Sequence, residues 1–219
     1  AGYGGCTYCS PLGSGDFAGN KSDSLLTQFD NVKNMMHKKW PNAKYIAYFQ
    51  ANTNTYGKVS ELKTKFETVL NYSPDIIGIS IATRPDCLES NVVDYLASLA
   101  KKTNLFVEIG LQTIHERTAK LINRGHDYET FLTGINKLRS KNIEVIVHII
   151  NGLPYETQSD MLQTVKELVK QDIQGIKIHL LHVIKNTKMG LDYLKSPFPL
   201  LTKEEYVDTV VKQLELIPT

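Results

Sequence analysis

The chain has 219 residues, 42% of them hydrophobic and 22% charged, which suits one sizeable domain with a substantial core. Lys and Arg total 25 against 23 Asp and Glu. A formal charge of +2 is too small for a surface that coats nucleic acid, although a local basic groove stays open. No apolar run approaches the roughly 20 residues that span a bilayer, no signal-peptide pattern opens the chain, and three cysteines are too few for a disulfide scaffold.

The sequence opens at Ala1-Gly2-Tyr3 rather than at a methionine, so a partial or trimmed chain is expected. Next comes Gly4-Gly5-Cys6-Thr7-Tyr8-Cys9-Ser10, followed by a polar Gly/Ser loop through Gly19. Glycines beside a CxxC pair let the backbone bend tightly and turn its N–H groups toward sulfur, an arrangement suited to thiolate ligation of a metal or cluster. Free thiols of this kind belong in a reducing compartment, which points to the cytoplasm. Taken alone, the pair also fits a zinc knuckle or a thioredoxin-like site. The last fits poorly, because such a CxxC should follow a strand and open a helix directly.

Five apolar, β-rich runs follow, at 45–50, 76–81, 105–111, 143–150 and 176–181. Most are nearly continuous, as expected of parallel strands buried on both faces. Their starts lie roughly 30 to 40 residues apart, the spacing of βα units. The intervening segments read as amphipathic helices. In 89–102, Val92, Leu96, Leu99 and Ala100 mark one face, with Val93 beside it; in 157–171, Met161, Leu162, Val165, Leu168 and Val169 do so. Thr157-Gln158-Ser159-Asp160 predicts a capping box, with Asp in place of Glu or Gln. A last helix is expected over 203–217, with Tyr206, Val207, Val210, Val211 and Leu214 as its buried stripe. No linker or low-complexity tract divides the chain, so 1–219 reads as one domain.

Alternating strands and helices permit an open doubly wound sheet or a closed or partial barrel, and both gather function at the carboxyl ends of the strands. Those ends are polar. The first is followed by Gln50 and Asn52, the second by Arg84 and Cys87; the third carries Glu108 and Gln112. The fourth holds His148 and then Gly152-Leu153-Pro154, and the last gives His179, His182 and Lys185.

The motifs GYGGCTYCS with GSGDFAG, YFQANTNTY, TRPDCL, EIGLQT with INRGH, HIINGLP and KIHLLHVIKNT occur in this order. Together they resemble the bacterial radical S-adenosylmethionine (SAM) enzymes of the YhcC/YtqA type. That family is related to the radical-SAM domain of the Elongator catalytic subunit and, more distantly, to oxygen-independent coproporphyrinogen dehydrogenase. The resemblance covers nearly the whole chain. It implies a partial (β/α)6 TIM-type barrel whose first strand lies upstream of residue 1. It also implies a [4Fe–4S] cluster held by three cysteines, with SAM on the open iron. One electron, from a donor such as flavodoxin or ferredoxin, then cleaves SAM to methionine and a 5′-deoxyadenosyl radical.

Carried over residue by residue, Cys6 and Cys9 match the last two cluster ligands, and the first lies upstream with the missing strand. Gln50 and Asn52 fall on the segment that receives the SAM amino group, mostly through backbone carbonyls. Gln112 and Arg124 keep the spacing of a Gln/Arg pair on SAM, the guanidinium forking onto its carboxylate. His148 stands near the ribose, where the distant relative has an aspartate. Glu108 needs a partner, either the SAM amino group or a neighbouring Arg84 or Arg124. Gly152-Leu153-Pro154 shapes a turn whose backbone supports the adenine, and Leu181 either covers the adenine ring or belongs to the core. Cys87 is not one of the usual ligands; it is either a buried or rim thiol or a reactive group near the substrate. His179, His182 and Lys185 face the substrate side.

Kinship with the Elongator subunit suggests radical chemistry at C5 of a tRNA wobble uridine, or on a group already attached there, with Lys58, Lys63 and Lys65 as candidate contacts. Small-molecule or protein substrates remain alternatives. So do a zinc-stabilised binding module and a SAM-binding protein without radical turnover.

Overall fold

The computed structural model describes residues 4–10, 19–20 and 22–218. The glycine-rich stretch at 11–18, to which most of the GSGDFAG motif belongs, lies outside the described residues. Five strands are present: β1 (Tyr45–Phe49), β2 (Ile76–Thr83), β3 (Asn104–Gln112), β4 (Glu144–Asn151) and β5 (Gly175–Leu180). Each falls within a residue or two of its predicted run. Helices separate them: α1 (Leu25–His37) before β1, α2 (Val59–Leu70), α3 (Ser90–Ala100), α4 (Glu116–Leu121) with α5 (Tyr128–Arg139), and α6 (Gln158–Leu168). After β5 come α7 (Lys188–Lys195) and α8 (Lys203–Leu216).

All strand pairs are parallel, and the order is β1-β2-β3-β4-β5. A doubly wound sheet reverses direction at a switch point, and this one never does. The sheet therefore curls as a half-barrel, the partial TIM-type core that the resemblance implied.

The convex side of that curl is the core. Ile79 and Ile81 on β2, Val107 and Ile109 on β3, and Val145, Val147 and Ile149 on β4 alternate with residues of the other face. They pack under Phe66, Leu96, Leu99, Phe131, Ile135, Leu138, Val165 and Leu168 of the covering helices. Each such aliphatic or aromatic side chain contributes about 1.5–3 kcal/mol by leaving water.

The expectation that the strands bury both faces holds at the centre of β2 and β3, where Ser80 and Glu108 are buried, and fails on β4 and β5. The burial of β4 alternates strictly, because five strands do not close on themselves and the concave residues keep contact with solvent. Tyr48, Ser80, Glu108, His148, Lys177 and His179 lie on that concave face, where the buried Ser80 and Glu108 are hydrogen-bonded and the others keep some contact with solvent.

The capping box forms as predicted. Thr157 Oγ1 accepts from the Asp160 N–H, and the Thr157 N–H donates to Asp160 Oδ2 at 2.7 Å. A second one, Thr202 with Glu205, starts α8.

The predicted stripe of α8 is wrong. Thr209 and Gln213 are its buried residues, while Val207, Val211 and Leu214 are 50%, 48% and 57% exposed. Amides decide the rotation of the helix. Asn151 Nδ2 donates to Gln213 Oε1 at 2.8 Å, Gln213 Nε2 returns a bond to Asn151 Oδ1 at 2.9 Å, and Gln158 reaches Asp208 and Thr209. Buried amide pairs override a modest apolar stripe because an unpaired buried amide costs about 1–3 kcal/mol. Gln213→Leu is therefore expected to destabilise the fold by about 1–3 kcal/mol despite adding an apolar side chain, read as a lower urea midpoint at unchanged slope.

Candidate active site

The CxxC hairpin is docked, not dangling. Cys9 N–H closes a turn on the Cys6 carbonyl at 3.2 Å, and Gly4 and Gly5 precede it at φ of 85° and 68°, where a side chain would strain the backbone. The Thr7 N–H donates to the Ile122 carbonyl at 2.9 Å, Asn123 Nδ2 donates to the Gly5 carbonyl at 2.7 Å, and Met189 N–H donates to the Thr7 carbonyl at 2.8 Å. The hairpin thus bridges the end of α4 and the start of α7, at the carboxyl side of the sheet.

Its two sulfurs interact. Cys9 donates to Cys6, which lowers the Cys6 thiol to about 6; burial opposes this, while the Tyr8 hydroxyl and the charges of Arg84 and Arg124 reinforce it. Cys9 is pushed up strongly by the same shared proton and by burial. One thiolate and one thiol side by side, facing two guanidinium charges, fit two ligands of an anionic iron–sulfur cluster, because bound metal displaces the remaining proton. Among the described residues no group of three His, Cys, Asp or Glu is arranged to hold a metal ion, so Cys87 does not complete the set.

Two arginines hold this region. Arg84 grips Asp86 with Nε and Nη2 at 2.9 and 3.0 Å and donates to the carbonyls of Arg124 and Gly125. Arg124 is 1% exposed. Its Nη1 donates to the carbonyls of Leu111 at 2.9 Å and Thr113 at 2.6 Å, its Nε to His126 at 2.8 Å, and its Nη2 to Glu116 Oε1 at 3.0 Å.

Four of the five N–H donors of this guanidinium are thus directed at the protein, and one on Nη2 is not. What the guanidinium clamps is a bulge. The β3–β4 register shifts between Gly110 and Gln112, and Gln112 takes φ 65°. A Cβ on Gly110 would meet Gln112 Nε2 at 2.4 Å, so the Gln112 amide lies directly over Gly110 and would have to move to admit a side chain there. Arg124 positions Gln112 through the backbone.

Below Gln112 the concave face carries a charged network missed as a unit by sequence reasoning. Glu108 is 3% exposed and accepts from Tyr48 OH at 2.9 Å, His148 Nε2 at 2.6 Å, Lys177 Nζ at 2.6 Å and the Ser80 hydroxyl. Lys177 Nζ sits 4.4 Å from the centre of the Tyr48 ring. His148 Nδ1 lies 3.3 Å from His179 Nε2. Of the two partners expected for Glu108, the SAM amino group or an arginine, the second is corrected: Lys177 and His148 take the place of Arg84 and Arg124, since residues 80, 108, 148 and 177 share the concave face while both arginines stand beyond the strand end. A period-2 projection of all five runs would have found Tyr48, Ser80 and Lys177 beside Glu108.

Burial pushes the Glu108 carboxyl up, but hydrogen bonds from His148, Lys177 and Ser80 outweigh it and hold the group at about 2, against an ordinary 4.5. A depressed folded-state value stabilises the fold above the ordinary value and is lost as pH falls toward the folded one. Wild type is therefore expected to lose about 3 kcal/mol more than Glu108→Gln between about pH 5 and pH 2, measured by urea unfolding across that range.

The other predicted residues separate. Gln50 and Asn52 do lie at the end of β1, on a loop fixed by Asn54, whose Nδ2 reaches the carbonyls of Phe49, Ala51 and Ala82. Leu181 is buried in a satellite cluster with Ile122, Leu153, Met189 and Phe198, with Tyr8 packed against it. Gly152, at φ 81°, makes the turn assigned to it. Cys87 is 6% exposed, and its carbonyl accepts from Thr55 Oγ1 at 2.6 Å. Burial raises its thiol above the ordinary value. Its Sγ lies 4.0 Å from Asp86 Oδ1. His182, Lys185, Lys58, Lys63 and Lys65 are exposed.

The fold and the site define a parallel β/α half-barrel that carries a CxxC hairpin at the carboxyl ends of its strands. Comparison with known proteins narrows this. The radical SAM superfamily matches residues 3–168, and a radical SAM C-terminal domain matches residues 173–219. The chain belongs to the radical SAM superfamily, whose members are enzymes.

It is 57% identical to the uncharacterised protein YtqA of Bacillus subtilis over 99% of this chain and 67% of that protein. To protein YhcC of Escherichia coli it is 32% identical over 99% and 69%. A tRNA-2-methylthio-N(6)-dimethylallyladenosine synthase of Desulforamulus reducens is 27% identical over 76% of this chain and 36% of that one. Among solved structures, archaeal Elp3 of Methanocaldococcus infernus superposes with a TM-score of 0.74 at 19% identity, over 89% of this chain and 50% of that one. The coproporphyrinogen III oxidase HemN of Escherichia coli gives 0.63 at 16%, over 96% and 49%. No helix among the described residues is long and apolar enough to cross a membrane.

Proposed function

We propose that this chain forms the SAM-cleaving core of a cytoplasmic enzyme that modifies tRNA, with a wobble uridine, or a group already attached to it, as the target. The observation that carries the reading is the meeting of the CxxC hairpin with the polar strand ends around Gln112 and the open concave trough. Bound cluster and SAM supply hydrogen-atom abstraction after one-electron reduction by a donor such as flavodoxin or ferredoxin. The protein's residues do the rest. Cys6 and Cys9 supply two thiolate ligands; Gln50, Asn52 and Gln112 line the strand ends where SAM is held, and Glu108 and His148 present the trough floor beneath.

Support for a tRNA substrate comes from kinship, both to a synthase named for tRNA and to the Elongator-like fold, and from the trough's openness. A radical generated at strand ends reaches a base only if that base leaves its stack, and an open trough admits a flipped nucleotide without enclosing the polymer. Mass spectrometry of tRNA nucleosides from cells with and without the gene tests this. A modified wobble uridine is expected to disappear, with its precursor accumulating; unchanged wobble uridines in the deletion strain overturn the assignment.

A further inference from the structure

We infer that Glu108, His148 and His179 form a carboxylate–imidazole–imidazole proton relay across β3, β4 and β5, in which His179 exchanges a proton with the substrate. The inference deepens the proposed function by naming a requirement on the substrate: its conversion must release or take up a proton at an O–H or N–H group, beyond any hydrogen atom that is moved. The relay itself needs no cluster, so it can be examined separately.

The register sets the three groups on one face. Gly110 pairs with His148, His148 with Lys177, and Ile150 with His179, so side chains on neighbouring strands point into the same trough. Glu108 is a carboxylate and only accepts, so the His148 nitrogen 2.6 Å away, Nε2, carries the hydrogen. In a neutral His148 the other nitrogen, Nδ1, then holds a lone pair. His179 Nε2 stands 3.3 Å from it, with ring centres 5.0 Å apart and planes 39° apart, and is the donor. That leaves Nδ1 of His179 as the relay's free acceptor. The carboxylate thus fixes the tautomer of the first ring, and the first ring fixes that of the second.

The transfer balances without oxidant or reductant. A proton arriving from the substrate bonds to His179 Nδ1. The Nε2–H bond of His179 breaks, and its proton bonds to His148 Nδ1. His179 is then neutral again, and His148 is an imidazolium touching Glu108. Reversal returns a proton to the substrate.

The surrounding charges favour this direction. Burial, together with the nearby His148 and Lys177, disfavours a proton resting on His179, whereas His148 contacts the carboxylate itself. Lys177 on β5, at 2.6 Å from the same carboxylate oxygen, opposes a second positive charge, so the pair holds one proton at a time. Tyr48 and Ser80, from β1 and β2, donate to Glu108 and keep it ionised. His179 carries the network one strand beyond His148 and bonds through a single ring nitrogen, which leaves the other for a substrate.

Nitrogen-15 NMR of the imidazoles in the full-length protein, from about pH 5 to about pH 8, tests the relay without any cofactor. The two rings are expected to titrate as a coupled pair, and His179→Gln is expected to convert His148 to a single-site curve. Glu108→Gln should release the Nε2–H tautomer of His148 that the carboxylate fixes. In the assembled enzyme, His179→Gln should lower kcat about 100-fold and flatten its pH profile, with KM changed far less. Independent titration of the two rings, with His148 unmoved in His179→Gln, overturns the relay, as does a His179→Gln enzyme with the wild-type pH profile. A coupled titration alongside unchanged tRNA nucleosides would instead keep the relay and remove the tRNA assignment.

Discussion

Cys6→Ser or Cys9→Ser in the full-length protein should leave iron–sulfur reconstitution at about a tenth of wild type or less, with the brown absorption of the cluster gone and SAM cleavage lost with it. The reason is local. These two sulfurs share one proton, and the Tyr8 hydroxyl with two guanidinium charges already stabilises a thiolate at Cys6. A serine alkoxide is far more basic than a thiolate, so neither position tolerates oxygen as a ligand. Cys87→Ser provides the contrast. Its thiol is buried and raised, with Asp86 Oδ1 4.0 Å from the sulfur as an acceptor for a hydroxyl, and the substitution should leave iron content near wild type at a cost of about 1 kcal/mol or less. Iron and sulfide analysis of the three variants, beside their unfolding curves, checks both halves. Full iron loading in either of the first two would remove the CxxC hairpin from the site.

Arg124→Met is expected to be the most destabilising single change outside the apolar core, at about 3–5 kcal/mol. Methionine matches much of the volume, but three carbonyls and the Glu116 carboxylate lose their donors at once, in a place water barely reaches. Arg124→Lys should recover only part of the loss, because one ammonium cannot span carbonyls on both sides of the bulge. Were Arg124 a ligand-binding group with its donors free, the methionine variant would fold nearly as well as wild type and fail only in SAM binding. Chemical denaturation separates the two outcomes. A second effect follows in the same variant: with one nearby positive charge removed, the Cys6 thiol should titrate higher than its present value of about 6.

Much of the scaffold could be read from residue order. Strand positions, their parallel sense, the capping box at Thr157 and the clustering of function at strand ends follow from apolar runs and local chemistry, because those depend on neighbours in sequence. What escaped depended on three-dimensional partners. Arg124 looks like any guanidinium until the carbonyls of Leu111 and Thr113 are brought to it. Val207, Val211 and Leu214 make a plausible stripe until the Asn151–Gln213 amides turn α8 the other way. Leu181 carries no mark that distinguishes adenine cover from satellite core. Glu108 was visible as an oddity in an apolar strand, yet its companions Tyr48, Ser80 and Lys177 come from three other strands, and only the register aligns them. Cys6 and Cys9 were legible through spacing, whereas the shared proton that makes one a thiolate was not.

The hairpin's three backbone-linked anchors have a mechanical corollary. Thr7 is gripped on one side by Ile122 and on the other by Met189, residues that belong to βα units two strands apart. A ligand that stiffens this small clip therefore slows the opening of both segments together, by mass action on the closed form. Amide hydrogens of Thr7 and Met189 should exchange more slowly, and in step, once metal is loaded, so that the state of the amino-terminal loop is reported at a helix far along the chain.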